Sequence, residues 1–266
     1  MHAVLVATIA VAAWVCAPLK AQEDVAEPAV TVHSLTIDAS DLAAGESQRL
    51  VQTFQGGKYV PGELTQRVRQ ALRDEGYYEA KCDLDGVKDS DDGQTADITL
   101  RVRAGAQYRL AGIRFTGATL FQAPQLRSLF AMEDGALLNA TAIGQGLDRM
   151  RDLYAQSGYI NFASVATPEV DESHRTIAFT FDVDEGKQFY FGRLLMDGAE
   201  PKAGAAQSLQ DAWVSLHQKP YSPAALSEWL RAHAPYWPPE AGQPLDHVRL
   251  MQNPEAQQVD VVLEFP

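Results

Sequence analysis

The sequence predicts an α+β protein of three tandem units, each a strand, two helices and a β-hairpin. Three observations carry that expectation. The first is a repeat: Gln107, Tyr108, Leu110, Ile113, Phe115 and Gly117 return 81 positions later as Gln188, Phe189, Phe191, Leu194, Met196 and Gly198. Self-similarity at a fixed spacing marks an array of structural repeats. The cassette also lies upstream, where Gly76-Tyr77 precedes Gly158-Tyr159 by 82 positions. A third copy follows, in which Tyr59, Pro61, Leu64 and Val68 become Tyr221, Pro223, Leu226 and Leu230 at an offset of 162. The second observation is alternation. Ile177, Phe179, Phe181 and Val183 alternate with Ala178, Thr180, Asp182 and Asp184, as in a strand with one buried face. Ile98, Leu100 and Val102, and then Val259, Val261, Leu263 and Phe265, repeat the pattern. The third is a helical stripe, Ile143, Leu147, Met150 and Tyr154, stopped by Gly158.

The remaining elements follow in order. In the first unit Leu64, Val68 and Leu72 make the stripe, Pro61 suits the first turn and Gly76 ends the helix. The shorter first helices carry Leu50, Val51 and Phe54, then Leu126, Leu129 and Phe130, then Leu209, Trp213 and Leu216. Unit boundaries fall at residues 30–104, 105–186 and 187–266. Each clear opening strand slips by one residue, at Ala111-Gly112 and again at Gly192-Arg193. A slip at glycine fits a β-bulge, and a strand buried on both faces fits it equally. Asp92-Gly93 and Val170–Arg175 are the hairpin turns of the first two units. In the third, Pro235-Tyr-Trp-Pro-Pro239 replaces the Gly-Tyr helix exit.

At 266 residues the chain has room for one to three domains, and units of about 80 residues bury limited cores. Stability then leans on packing between neighbours, at Gly105 and Gly186. Ala3–Ala17 is almost wholly apolar, with the length of a signal-peptide core, so 1–21 reads as a signal peptide cleaved after Ala21. An uncleaved N-terminal anchor is the competing reading. Residues 22–29 form a polar, acidic, disordered lead-in. The mature chain keeps Cys82 alone, so no internal disulfide can form, and Cys82 reads as a small buried apolar residue.

Net charge is −13 and no basic stripe interrupts it, which argues against nucleic acid. No two of the six histidines share a metal-ligand spacing, so no metal is expected. No P-loop or nucleophile elbow occurs, and Gly144-Gln-Gly146 sits inside a helical pattern rather than after a strand. Asp148 and Asp152 lie among Arg149 and Arg151 on one helix and read as a solvated face. Tyr221, Trp229, Tyr236 and Trp237 read as packing in preference to a ligand platform. The sequence thus offers no catalytic constellation, no cofactor site and no small-molecule substrate.

The opening Tyr-x-Leu-x-x-Ile-x-Phe-x-Gly, the helix end Leu-Asp-Arg-Met-Arg-Asp-Leu-Tyr-x-x-x-Gly-Tyr and the exit Val-Asp-Glu-Gly resemble POTRA repeats. These are the periplasmic modules of the BamA/TamA family of outer-membrane assembly factors. The resemblance covers nearly the whole mature chain and is sharpest over 105–186; the family's membrane barrel has no counterpart here. It implies three-stranded mixed sheets under two antiparallel helices, with the first hairpin strand at the sheet edge. The edges expected on that basis are Tyr78–Leu84, Ile160–Thr167 and His247–Gln252. Their candidate binding residues are Tyr78, Ala80, Cys82 and Leu84; Ile160, Asn161, Phe162, Ala163 and Val165; and Val248 and Leu250. An open edge can accept an extended peptide as an added strand, and the second edge is the least guarded. In the first, Glu79, Lys81 and Asp83 serve equally well as charges that block aggregation. The implied role is a non-enzymatic periplasmic scaffold or chaperone-like module, peripheral to the outer membrane. Its partners would be unfolded outer-membrane protein clients or a barrel assembly partner. The alternative is an envelope protein tethered by an uncleaved N-terminal helix and binding one fixed partner.

Overall fold

A computed structural model describes residues 28–91, 93–199, 202–236 and 247–265. The expected signal segment, most of the lead-in, Asp92, Trp237 and the rest of the proline-rich exit lie outside the described residues. Chain order is β1 (Val30–Asp38), α1 (Ala44–Phe54), β2 (Lys58–Tyr59), α2 (Pro61–Asp74), β3 (Lys81–Asp89) and β4 (Thr95–Arg103). Then come β5 (Arg109–Thr116), α3 (Ala123–Arg127), α4 (Ala140–Gln156), β6 (Ala163–Asp171) and β7 (Thr176–Asp184). The last set is β8 (Tyr190–Asp197), α5 (Ala205–Trp213), α6 (Pro223–Ala232), a 3-10 turn at Ala234–Tyr236, β9 (Val248–Asn253) and β10 (Gln258–Glu264). They form three mixed sheets, ordered β2-β1-β4-β3, β5-β7-β6 and β8-β10-β9, each with its own apolar core. In every sheet the opening strand runs parallel to the second hairpin strand, which lies between it and the first. That is the predicted architecture.

Two details differ from the expectation. The first sheet has a fourth strand, because the helix–helix connector pairs antiparallel with the start of β1 (Val30↔Tyr59). The same connector makes only single bridges elsewhere, Arg109↔Leu137 and Tyr190↔Pro220. Helix α3 is only five residues long. Arg127 reaches over to the carbonyls of Phe130 and Met132, so the following turn is closed by a side chain instead of another helical turn.

Local chemistry explains the elements. The side chain of Asn139 accepts from Ala142 N (2.7 Å) and that of Ser222 from Ala225 N, so α4 and α6 start on a side-chain cap, while α2 starts on Pro61. In α4 the buried Gly146 is required because a Cβ there would stand 2.2 Å from the Phe130 ring. Met150 and Tyr154 are fully buried, while Ile143 and Leu147 pack at the core's margin. Phe181 stacks on Phe115 (5.9 Å) and packs tilted against Phe130 (5.1 Å), the three rings forming one cluster. In the third unit Tyr221, Trp213 and Trp229 are core residues.

The slips in the opening strands are bulges. Register jumps between Leu110 and Gly112 against β7, and β8 places Gly192 and Arg193 opposite Asp260 alone. A third, at His33, interrupts β1 against β4. In β8 the bulge is held by the buried Asp260, which accepts from Arg193 N (2.7 Å) and from the Arg193 guanidinium (2.7 Å). A Cβ on Gly192 would meet Asp260 Oδ1 at 2.2 Å, so only glycine fits.

Neighbouring units meet through one handover, made twice. Asp74 at the end of α2 accepts from Thr141 N and Thr141 Oγ1, both at 2.8 Å, in the first turn of α4. Gln156, 82 residues on, accepts from Ser222 Oγ (2.6 Å) and Ala224 N (3.1 Å) at the start of α6. Gln107 reaches back to Glu75 O and Gln188 to Ser157 O. Tyr108 N donates to Gly76 O and Phe189 N to Gly158 O, both at 2.8 Å.

The loop that follows β5 is tied down by a carboxylate. Glu185 accepts from Thr119 N and Leu120 N, both at 2.8 Å, from the Thr119 hydroxyl and from Tyr154 OH (2.9 Å). Burial works to raise its pKa, but the Leu120 and Thr119 donors outweigh it and hold the carboxyl below the usual glutamate range. A carboxyl depressed in the folded state stabilises fully above its unfolded value, about 4.3, and loses that contribution as pH falls through the folded value. Glu185→Gln is therefore expected to lower the melting temperature of the middle unit at pH 7 by roughly 4–8 °C. The gap should narrow progressively as pH falls below the unfolded value; calorimetry at pH 7 and at pH 3 checks the direction.

Candidate interaction site: the open sheet edges

Main-chain direction decides which strand edges are available. The outer edge of each opening strand is already used by the helix–helix connector. Gly56 N and Gly57 O bond to Val32, Gly135 N and Ala136 O to Leu110, and Gln218 N and Lys219 O to Phe191. Side chains extend the cover: Trp213 Nε1 and His217 Nδ1 donate to Gly192 O, Gln210 to Leu194 O, and Gln55 to His33 O. The first hairpin strands β3, β6 and β9 have no described strand on their outer side.

Alternate residues of an antiparallel strand turn their N–H and C=O toward the partner or away from it. In the second sheet Arg109 N donates to Arg175 O, so the odd residues of β7 face β5 and the even ones face β6. The β6 residues opposite even positions, Ala163, Val165, Thr167 and Glu169, therefore spend their main chain on β7. Ser164, Ala166, Pro168 and Val170 face outward. Pro168, which has no N–H, fits only that orientation. The same reasoning, from Tyr190 N to Gln257 O, points Val248, Leu250 and Gln252 of β9 outward. From Thr31 N to Gln94 O, it points Cys82, Leu84 and Val87 of β3 outward.

The three edges differ. Strand β3 is bulged at Asp85, which pairs with Arg101, and Asp83 lies 3.6 Å from Arg103. Bulges and charges of this kind blunt an edge. Strand β9 is regular but only six residues long, with Arg249 bound to Glu264 (2.7 Å). Strand β6 holds unbroken register over nine residues, and Val165 on its open face is 67% exposed. Its only cross-strand ion pair among the described residues, Glu169 with Arg114 (2.6 Å), sits beyond Pro168.

Several predicted site residues lie elsewhere. Strands β3 and β6 begin three residues later than the alternation suggests, since the chain first turns after each helix stop. Tyr78 and Ala80 precede β3, and Ala80 is fully buried. Ile160, Asn161 and Phe162 precede β6; Phe162 is buried and stacks on Tyr154 (4.5 Å), while Ile160 packs against the third core. Cys82 is buried, and burial pushes its thiol up to about 11. Asp148 is exposed and bonded to Arg151 (2.8 Å). Among the described residues no group of three or more metal-ligating side chains converges, and no helix is long and apolar enough to cross a membrane.

A strand, two helices and a hairpin, repeated three times with the second hairpin strand central, define an array of POTRA-fold units. The POTRA family model, described as surface antigen variable number repeat, matches residues 108–186. The match covers the middle unit, and the chain is similar to BamA-type outer membrane protein assembly factors. It is 25% identical over 139 residues to a putative outer membrane protein assembly factor of Treponema pallidum, covering 50% of this chain and 16% of that protein. It is 25% identical over 146 residues to the outer membrane protein assembly factor BamA of Buchnera aphidicola, covering 53% of this chain and 24% of that protein. The chain thus spans a quarter or less of the length of these relatives. Its fold matches POTRA3-5 of Haemophilus influenzae BamA with a TM-score of 0.64 at 18% identity, over 89% of this chain and 96% of that one.

Proposed function

We propose that this chain is a non-enzymatic scaffold or chaperone-like module of the periplasm, working at the outer membrane. It holds unfolded outer-membrane protein clients, or a barrel assembly partner, by strand addition at its hairpin edges. Similarity to outer membrane protein assembly factors supports the setting. The observation that carries the binding mode is the outer edge of β6: an unbroken nine-residue register, free of ion pairs before Pro168, beside the exposed Val165. Strand addition is largely main-chain, so it tolerates varied client sequences.

A photo-crosslinking side chain at position 165, in cells with a Gram-negative envelope, tests this reading. Capture of several barrel-protein precursors is the expected result. Capture of a single stoichiometric neighbour would point to a fixed partner and the tethered role, and capture of none would remove β6 as a binding edge.

A further inference from the structure

The first unit carries a second kind of groove. Helix α2 and the start of β3 enclose about 580 Å³, lined by Arg69, Arg73, Tyr78, Glu79, Lys81 and Cys82 with Asp83 at the end. Arg69 and Arg73 are four residues apart on α2 and so project from one face. Among the described residues neither they nor Lys81 has an ion-pair partner, whereas Arg101 and Arg103 of the adjacent strand are paired with Asp85 and Asp83. The Nε of Arg73 is buried without a hydrogen-bond acceptor. Asp83 is turned to Arg103, and Cys82 stays a neutral thiol, so among the described residues that line the groove Glu79 is the one remaining carboxylate beside three cations. In a chain of net charge −13 this is a local reversal of sign. The groove also runs beside the outward main chain of Cys82 and Leu84.

We infer that this groove takes an extended polypeptide segment carrying acidic side chains, which pairs with the outer edge of β3 while its carboxylates meet Arg69, Arg73 and Lys81. Guanidinium groups bind carboxylates through paired, directional hydrogen bonds, so the site selects for an acidic segment where β6 selects only for extended backbone. The inference rests on strand addition as the binding mode but not on β6.

Fluorescence anisotropy with a capped seven-residue peptide alternating valine and glutamate, and with its valine–glutamine counterpart, tests it on the full chain. The glutamate peptide should bind about tenfold more tightly and weaken as salt is raised. Arg69→Gln combined with Lys81→Gln, at a half-buried and an exposed position, should erase that preference and leave glutamine-peptide binding unchanged. Leu84→Pro, which removes an outward donor, should weaken both peptides alike, and Ala166→Pro on β6 should leave the glutamate preference intact. Equal binding of the two peptides to the native protein overturns the inference. So does a preference that survives the double charge variant. Loss of all peptide binding in Ala166→Pro, with Leu84→Pro silent, assigns binding to β6 alone and overturns it while the proposed function stands.

Discussion

Proline at Ala166 is expected to leave the middle unit folded and to weaken capture of an extended client on the order of tenfold, while proline at Val165 unfolds the hairpin. The two positions are adjacent and both exposed, so composition and burial do not separate them. Main-chain direction does. Ala166 turns its N–H outward, in the orientation that native Pro168 takes two residues along, so a proline there costs no ladder bond. An incoming strand loses a donor at 166 and leaves its own carbonyl unpaired, worth about 1 kcal/mol or more and hence roughly tenfold. Val165 faces Asp182 across the ladder, and proline there removes a bond inside the sheet. Peptide titration of Ala166→Pro, with circular dichroism of both variants, checks the contrast. Undiminished binding by a folded Ala166→Pro protein would exclude strand addition at this edge.

Gly117→Ala is expected to cost the middle unit about 3 kcal/mol or more, against about 1–2 kcal/mol for Gly105→Ala. Both glycines adopt left-handed backbone, with φ of +75° and +73°. Only at Gly117 does an added Cβ collide, 2.2 Å from the Val183 carbonyl; at Gly105 the nearest atom is 3.9 Å away. The colliding atom is backbone of the central strand, so neither side can give way cheaply. Gly198 stands in the same place in the third unit, with Phe265 O at 2.0 Å. Hydrogen exchange across β7 reads the loss directly, because the described tryptophans belong to the third core and do not report on the second. Equal protection in the two variants would mean that Gly117 is needed only for its φ.

Much of this was legible in the chain. The 81-residue offset found the units, since a unit that packs the same way must repeat its buried positions. The alternation of Ile177 to Val183 found the central strand, and the slip at Gly112 found the bulge as one of two readings. What alternation encodes is the side of the sheet a side chain takes. It does not encode which neighbour the main chain addresses, which is why Ala163 and Val165 stood out and Ser164, Ala166 and Pro168 did not. Tyr78, Ala80 and Phe162 continue the apolar rhythm of their strands into the preceding turn, where they fill core space. The bulge at Asp85 lies among charges, with no glycine slip at the bulged residue itself. The pairing of Arg69 and Arg73 with Lys81 joins a helix to a strand that lies after the next turn, a proximity only the fold creates.

The twice-made handover at Asp74 and Gln156 has a mechanical meaning. At each joint a glycine carbonyl accepts from the residue just before the next strand, and a Cβ on Gly158 would sit 2.6 Å from Phe189 O. At Gly158 so close an approach leaves no room for a side chain between the units, whereas at Gly76 the Tyr108 carbonyl would stand 3.1 Å from an added Cβ. A small alteration at Gly158 would swing the whole third unit while every core stayed intact, and under the proposed strand addition it would reset the distance from the β6 edge to the β9 edge.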